Sequence, residues 1–315
     1  MTLRDWKGRV DTESDGDSRR WHQIVQPMRN NDAPGIAILG FACDEGVRRN
    51  GGRVGAAEGP RALREMLSNL PILDQTPLYE AGEIQCAEGD LEGAQAQFAS
   101  RVSALLDAGH FVVGLGGGHE IAYASFLGLM EHLRASRPRL AIVNFDAHFD
   151  LRDRPEASSG TPFLQALRYA NDVGMTMDYI CIGVSSSANT SSMFARAESS
   201  GTHYYRDDQL GALEVQDRAR EISSLLERAD FIYLTICLDV LPPGVSPGVS
   251  APSARGVDQG VIEHLIDTVM ATGKVRLCDI AELSPPYDNA GTTARVGARL
   301  IHRIANRACD GLMQY

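Results

Sequence analysis

The chain has 315 residues, of which 43% are hydrophobic, and its formal net charge is −11. This length and apolar content are those of a globular protein with a sizeable core. The acidic balance, without any segment dense in lysine or arginine, argues against binding to nucleic acid or to an anionic membrane. No apolar run reaches the roughly 18 residues of a membrane span, and residues 1–20 lack the apolar core of a signal peptide. Six scattered cysteines predict reduced thiols in a cytoplasmic protein.

The predicted elements are short apolar strands that alternate with amphipathic helices. Residues 1–30 are interpreted as a loosely ordered arm, and residues 31–315 as a single folded domain. Strands are predicted at 36–41, within 110–118, and at 140–145, 178–184, 231–239 and 275–282. Helices are predicted at 60–70, from the capping residue Asp90 to Ala108, and at 163–170, 211–227, 257–271 and 291–308. Such alternation is typical of an α/β fold with a mainly parallel sheet that helices cover on both faces.

Polar clusters follow or end four of these strands. They are "GGGHE" (116–120), "DAHFD" (146–150), "CLDV" (237–240) and "AELS" (281–284). Ligands of open α/β sheets bind beyond the carboxyl ends of the strands. The four clusters therefore predict one polar site at that edge of the sheet.

Two short motifs resemble other kinds of site and are excluded on physical grounds. "GLGGGHE" (114–120) departs from the dinucleotide-binding pattern G-x-G-x-x-G, because His119 stands where the last glycine is needed. "GVSPG" (244–248) matches the nucleophile elbow G-x-S-x-G, but Pro247 lacks the N–H that such an elbow gives to its oxyanion hole. Ser246 is therefore not expected to be a hydrolase nucleophile.

Asp146, His148 and Asp150 occupy alternate positions after the apolar run 140–143. Alternate side chains of an extended chain leave the same face, so we expect these three groups to converge. Carboxylate and imidazole ligands suit Mn, Fe or Zn, whereas ionisable groups at a buried strand end are costly without a partner. We favour a metal site over the alternative of an exposed polar loop.

His119 follows three glycines and opens a predicted helix. The helix dipole disfavours a protonated imidazole there, which leaves the ring free to bind a metal. Taken alone, His119 is better explained by a helix-capping or core histidine.

Three segments resemble the arginase/agmatinase (ureohydrolase) family in order and spacing: "GGGHE", "NFDAHFD" and "TICLDVLPPGVSPGVSAPSARG". The resemblance extends from "RNGGRVGAAEGP" (49–60) to the C-terminus. The third segment follows the family pattern at Thr235, Asp239, Pro243, Pro247, Gly248 and Gly256. The resemblance implies a three-layer α/β fold around a largely parallel, eight-stranded sheet, and two manganese ions per chain whose bridging hydroxide attacks a guanidinium-type carbon. The implied ligands are His119, Asp146, His148, Asp150 and Asp239, with Asp146 bridging both ions.

Cys237 stands where the family pattern has an aspartate that contacts both metals. A thiolate could bridge through its sulfur, but it is a softer ligand, better matched to Zn or Fe than to Mn(II). A neutral thiol would leave the site one ligand short. Cys237 is therefore either a metal ligand or an ordinary small residue of a buried strand.

Within the family, the sequence resembles the formimidoylglutamases, which typically show "GGGHE", "DxHFDLR" and "SSGTPF". Arg152 can hold a carboxylate in bidentate fashion, and Ser159, a candidate substrate contact, stands where arginases place a histidine. Glu282 matches the family's glutamate that accepts hydrogen bonds from the amidine-type end of the substrate. The resemblance implies hydrolysis of N-formimidoyl-L-glutamate to L-glutamate and formamide, a step of histidine degradation, by attack of metal-bound hydroxide. Asp150 is expected to relay a proton to the departing nitrogen.

Other interpretations of these residues remain open. Arg152, Ser159 and Glu282 could be a surface arginine, a loop hydroxyl and one more strand-end acid. The chain could be another ureohydrolase, an agmatinase or a guanidinobutyrase, or a metal-poor and catalytically weak relative because of Cys237. We expect a small-molecule substrate and assembly into a homo-oligomer.

Overall fold

The structure is a computed structural model that describes residues 3–12, 17–72, 76–134 and 136–312. The described residues form a nine-stranded sheet in which every neighbouring pair is parallel. Its strands are β1 (Gln26–Pro27), β2 (Ile36–Ala42), β3 (Leu78–Gln85), β4 (Phe111–Gly116), β5 (Leu140–Phe145), β6 (Met177–Val184), β7 (His203–Arg206), β8 (Phe231–Cys237) and β9 (Val275–Ala281). Their order across the sheet is β1-β3-β2-β4-β9-β8-β5-β6-β7. The chain crosses over repeatedly, so strands distant in sequence lie side by side at the centre.

Helices connect most of these strands. They are α1 (Trp21–Ile24), α2 (Glu45–Arg49), α3 (Gly59–Leu67), α4 (Leu91–Asp107), α5 (Ile121–Leu133), α6 (Pro162–Asp172), α7 (Ser191–Ser199), α8 (Val215–Leu226), α9 (Gln259–Met270) and α10 (Thr292–Leu312). The side chain of Asp90 caps α4 by accepting a hydrogen bond from the N–H of Gly93 at 2.9 Å, as predicted. In the described ranges, no helix combines the length and the apolar character needed to span a bilayer.

The sheet separates two hydrophobic cores. Alternate residues of one strand enter opposite cores: Ile36 and Ile38 of β2 pack on one face, and Ala37 and Leu39 on the other. The first core takes its helical side chains from α1, α3, α8, α9 and α10, and the second from α4, α5, α6 and α7. This arrangement confirms the predicted three-layer α/β fold with helices on both faces of a parallel sheet.

The number of strands differs from the expected eight. Six of the strands were located from the sequence, and three, β1, β3 and β7, were missed. Two of the missed strands are very short, with two and four residues. β3 carries acids in its interior: Glu80 is buried and accepts hydrogen bonds from Arg64 Nε at 2.8 Å and from Trp6 Nε1 at 2.7 Å. This acid interrupts the apolar run by which a buried strand is recognised, and its partners are too distant in sequence to be predicted.

The described part of the first 30 residues packs against the domain, which differs from the expected loose order. Trp6 and Trp21 are buried and stack with ring centroids 6.5 Å apart. Trp6 is tied to β3 through Glu80, and β1 extends the sheet beside β3. Two large aromatic side chains thus anchor this segment by apolar burial. The division of the chain at residue 30 stays a prediction.

Candidate metal centre and active site

Four parallel strands bring the predicted residues to one edge of the sheet. β4 leads to His119, β5 to Asp146, His148 and Asp150, β8 to Cys237 and Asp239, and β9 to Glu282. β4, β9, β8 and β5 are consecutive neighbours at the centre of the sheet, so their carboxyl ends meet. All seven of these residues except Asp146 line one cavity of about 240 Å³, and Asp146 is fully buried beneath it.

The glycines before His119 allow a close approach of two backbone segments. A Cβ atom on Gly117 would lie 1.8 Å from the carbonyl oxygen of Cys43, so only glycine fits at this position. The turn is held to the end of β9, where the N–H of Glu282 donates to the carbonyl of Gly117 at 2.8 Å. Glu282 Oε1 in turn accepts from the N–H of His119 at 3.0 Å. The helix that His119 was predicted to open begins two residues later, at Ile121.

The segment from Asp146 to Asp150 is a loop rather than an extended strand. β5 ends at Phe145, and Asp150 has a φ of +47°. The three side chains converge as predicted. The predicted cause, alternation along an extended strand, is wrong. Asp146 Oδ1 accepts from the N–H of His148 at 2.7 Å, which folds the loop back on itself.

The donor atoms form two overlapping groups. The donor atoms of each group lie within 4.8 Å of one another. The first group consists of His119, Asp146 and Cys237, and the second of Asp146, His148 and Asp239. Asp150 Oδ2 lies 2.9 Å from His119 Nδ1, and Asp239 Oδ2 lies 3.0 Å from His148 Nδ1. Asp146 belongs to both groups, which is the place that the family resemblance gives to the bridging aspartate.

Electrostatics show that the site concentrates negative charge. Burial and the charge of Asp146 raise the pKa of Asp150 to about 6. Burial disfavours the protonated imidazoles, but contacts with carboxylates outweigh it and hold the pKa of His119 and of His148 well above the ordinary value. The buried carboxylates thus favour the protonated form of both imidazoles. Divalent cations can take the place of these protons, since metal binding displaces them, and the donor set fits a pair of such cations.

Cys237 contributes a buried sulfur to the first group of donors. Burial and the charges of Asp146, Asp239, Glu282 and Asp150 raise the pKa of its thiol. The side chain is 2% exposed and faces the cavity. The thiol therefore sits where a cation would be needed to favour its thiolate form.

Arg152 and Ser159 lie together at the mouth of the cavity. The N–H of Arg152 donates to the carbonyl of Gly160 at 2.8 Å, which joins the two predicted segments. A Cβ atom on Gly160 would lie 2.7 Å from Cδ of Arg152 and 3.1 Å from Nδ2 of Asn50, so this glycine makes room for both side chains. No acidic partner of the Arg152 guanidinium is found within the described part of the chain. Arg152 is thus an uncompensated cation beside an acidic site.

Several cavity residues were not found from the sequence. Asn50, Asn189, Thr190 and Ser250 contribute polar side chains to the lining. They lie on three loops, around Asn50, at Asn189 and Thr190, and around Ser250, which the fold brings together. Ser246, which was excluded as a nucleophile, is buried and lies outside the lining.

Backbone conformation marks two of the predicted residues. Asp150 and Glu282 adopt positive φ values of 47° and 70°, which side-chain-bearing residues rarely do. Such conformations persist where the surrounding structure imposes them, and they cluster at functional sites.

Comparison with known proteins places this geometry in a family. The family model described as the arginase family matches residues 34–306. The formimidoylglutamase of Aeromonas hydrophila is 49% identical over 302 residues, covering 95% of this chain and 96% of its own. That of Ralstonia nicotianae is 48% identical over 309 residues, covering 96% and 94%.

Solved structures agree. The crystal structure of formimidoylglutamase from Bacillus subtilis superposes with a TM-score of 0.82 at 20% identity, covering 96% of this chain and 95% of its own. That of Trypanosoma cruzi formiminoglutamase with Mn2+2 gives a TM-score of 0.79 at 26% identity, covering 91% and 97%. The predicted arginase-like fold and the predicted resemblance are confirmed. The chain belongs to the arginase family.

Proposed function

We propose that the chain is a formimidoylglutamase that hydrolyses N-formimidoyl-L-glutamate to L-glutamate and formamide. The observation that carries the proposal is the uncompensated guanidinium of Arg152 at the mouth of a cavity whose floor carries the metal donors. The substrate's glutamate part brings two carboxylates, and a cationic substrate such as agmatine would gain nothing from this arginine. Curated relatives that are 43–49% identical to the chain bear the same name.

The donor set would hold two manganese ions. One ion would bind His119, Asp150 and Cys237, the other His148 and Asp239, and Asp146 would bridge them. When bound, the ions lower the pKa of a water molecule and stabilise negative charge that develops at the reacting carbon. The crystal structure of the Trypanosoma cruzi relative contains Mn2+2, which supports manganese as the metal.

The residues of the chain would guide the reaction as follows. Arg152 binds a carboxylate of the glutamate part, and Ser159 contacts the substrate beside it. Glu282 accepts hydrogen bonds from the N–H groups of the formimino end. The oxygen of water adds to the formimino carbon, and the bond from that carbon to the glutamate nitrogen breaks. One proton of the water ends on the imino nitrogen, which becomes the amide nitrogen of formamide. Asp150 Oδ2 receives the other proton and delivers it to the departing nitrogen, which becomes the free amine of glutamate.

Replacing Arg152 by alanine is expected to raise KM for formimidoylglutamate roughly 10- to 100-fold, because a hydrogen-bonded charge contributes about 1.5–3 kcal/mol. The kcat should fall less, since the guanidinium binds away from the reacting carbon. Steady-state kinetics with formimidoylglutamate, agmatine and guanidinobutyrate, for wild type and variant, test both the substrate and the anchor.

Arg154→Ala is the matched control, since Arg154 is also exposed but lies outside the lining of this cavity. The KM of Arg154→Ala for formimidoylglutamate should stay near that of the wild type. An unchanged KM in Arg152→Ala would disprove the anchoring role, and preferred turnover of agmatine would identify a different ureohydrolase.

Cys237→Ala is expected to bind one manganese ion instead of two, and Cys237→Asp to bind both more tightly than the wild type. A carboxylate is a harder ligand than sulfur and suits Mn(II) better. The gain in affinity should reach roughly tenfold, since even groups beyond the ligands change metal affinity 10- to 100-fold. Elemental analysis after dialysis against a range of manganese concentrations measures both effects. Two tightly held ions in Cys237→Ala would show that Cys237 is an ordinary buried residue, and a wild type without metal or turnover would favour the metal-poor alternative.

Three further expectations are kept as proposals. The catalytic domain comprises residues 31–315 and follows an N-terminal arm of residues 1–30. The chain assembles into a homo-oligomer, and it acts in the cytoplasm, where its six cysteines stay reduced.

A further inference from the structure

A buried carboxylate lies behind the metal site on the side away from the cavity. Asp279 of β9 is 1% exposed, and its Oδ2 accepts hydrogen bonds from Ser125 Oγ and from the Tyr233 hydroxyl, both at 2.5 Å. Asp279 thus joins α5, β8 and β9. Its side chain needs the space left by Gly114 of β4, where a Cβ atom would lie 2.8 Å from the Cβ of Asp279. The proposed mechanism does not use this acid.

Thr235 is a neighbour of both Asp279 and His119. Thr235 and Asp279 are directly paired in the register of β8 and β9, and Thr235 is fully buried. Thr235 Oγ1 lies 3.1 Å from Nε2 of His119. Burial raises the pKa of Asp279, while the neighbouring hydroxyls of Ser125, Thr235 and Tyr233 lower it.

The second oxygen of Asp279 is available as an acceptor for the neighbouring Thr235 hydroxyl. Oδ1 is buried and receives no hydrogen bond of regular geometry from the described residues. A threonine hydroxyl can donate one hydrogen bond while it accepts another. If Oδ1 were its acceptor, the hydroxyl of Thr235 would turn its lone pairs towards His119 Nε2.

This direction of hydrogen bonding determines which ring nitrogen of His119 carries the proton. A neutral imidazole has one N–H, and Thr235 Oγ1 accepts it when the proton is on Nε2. Nδ1 then has a free lone pair. It faces Asp146 Oδ2 at 3.0 Å and Asp150 Oδ2 at 2.9 Å, which is the side of the proposed ions.

We propose that Asp279, acting through Thr235, is a positioning residue of the metal site that holds His119 with Nδ1 open for an ion. Metal-binding histidines commonly donate their other N–H to a group that fixes ring and tautomer, and loss of that group lowers metal affinity. The inference rests on the proposed metal site but not on the identity of the substrate.

The test is a titration of the metal-free protein with Mn2+. The electron paramagnetic resonance signal of the unbound ion gives the affinity. Thr235→Val keeps the shape of the side chain and removes the hydroxyl, and we expect affinity to fall roughly 10- to 100-fold. Thr235→Ser keeps the hydroxyl and should restore binding close to the wild-type level. Asp279→Asn should weaken binding in the same direction as Thr235→Val.

Tyr233→Phe is the control that separates positioning from stability. It removes one hydrogen bond to Asp279 and leaves the contact between Thr235 and His119 in place, so the melting temperature should fall while Mn2+ affinity stays near the wild type. Wild-type affinity in Thr235→Val, or an equal loss in Tyr233→Phe and Thr235→Val, would overturn the inference. A wild type that binds Mn2+ with the expected variant effects but does not hydrolyse formimidoylglutamate would refute only the proposed substrate.

Discussion

Asp146→Asn is expected to lower kcat/KM for formimidoylglutamate by roughly a thousandfold and to remove most of the bound manganese. Asp146 is the one residue common to both groups of donor atoms, so its loss affects both ions. Bound metal contributes several kcal/mol to transition-state stabilisation, and each 1.36 kcal/mol corresponds to a factor of ten in rate. Metal content by elemental analysis and steady-state kinetics on the same preparation test the two effects together.

Glu263→Gln provides the control for Asp146→Asn. Glu263 is also a buried acid, 7% exposed, but it lies on α9 and pairs with Arg299 at 2.6 Å and Arg303 at 3.0 Å, away from the cavity lining. Its replacement should reduce stability and leave metal content unchanged. The assignment of Asp146 as the bridging ligand fails if Asp146→Asn keeps two ions and a rate close to that of the wild type.

The fold could be predicted where strands are mostly apolar. β4, β5 and β8 are largely buried on both faces and are nearly continuous apolar runs, interrupted by Asn144 in β5 and Thr235 in β8, as is typical of a parallel sheet. β3 could not be found in this way, because it contains the buried acid Glu80. The hydrogen-bond donors to Glu80 are Arg64 and Trp6, which lie 16 and 74 residues away in the sequence. Pairing at such a distance leaves no local pattern in the sequence.

The candidate site was predictable for the same reason as the sheet. Once parallel strands are assigned, the polar residues just after them must meet at one edge, so His119, Asp146 and Asp239 could be grouped from their positions in the sequence. The loop geometry that brings Asp150 to His119 was not predictable, since it depends on a positive φ rather than on strand alternation.

The partners of Asp279 could not be predicted from the sequence around it. Asp279 stands inside a strand, in "RLCDIAEL", where a single acid carries no indication of its partners. Its partners Ser125 and Tyr233 lie 154 and 46 residues away in the chain. The order of the strands across the sheet makes Thr235 its neighbour, and that order is a property of the whole fold.

Glu282→Gln is expected to lower kcat/KM for formimidoylglutamate roughly 10- to 100-fold, with most of the loss in kcat. Glu282 is held at the end of β9 with a φ of +70°, and one carboxylate oxygen is engaged by the N–H of His119 at 3.0 Å. The other oxygen is left for the N–H groups of the substrate, whose formimino end becomes more polar as water adds to its carbon. Burial raises the pKa of Glu282 to about 8, and a cationic formimino end would favour its carboxylate form. Hydrogen bonds to a charged group contribute about 1.5–3 kcal/mol, and glutamine keeps the shape of the side chain but cannot carry the charge.

Glu120→Gln is the matched control for Glu282→Gln. Glu120 is a buried acid next to His119, but its carboxylate accepts from the N–H of Gly46 at 2.8 Å and lies outside the cavity lining. We expect the kcat of Glu120→Gln to stay near the wild-type value. Glu282→Gln should bind manganese as the wild type does, because Glu282 is proposed to contact substrate rather than metal. Equal losses of kcat in the two variants would mean that Glu282 only supports the turn at His119. A loss of manganese from Glu282→Gln would instead make Glu282 part of the metal site, and the amidine end of the substrate would then need another acceptor.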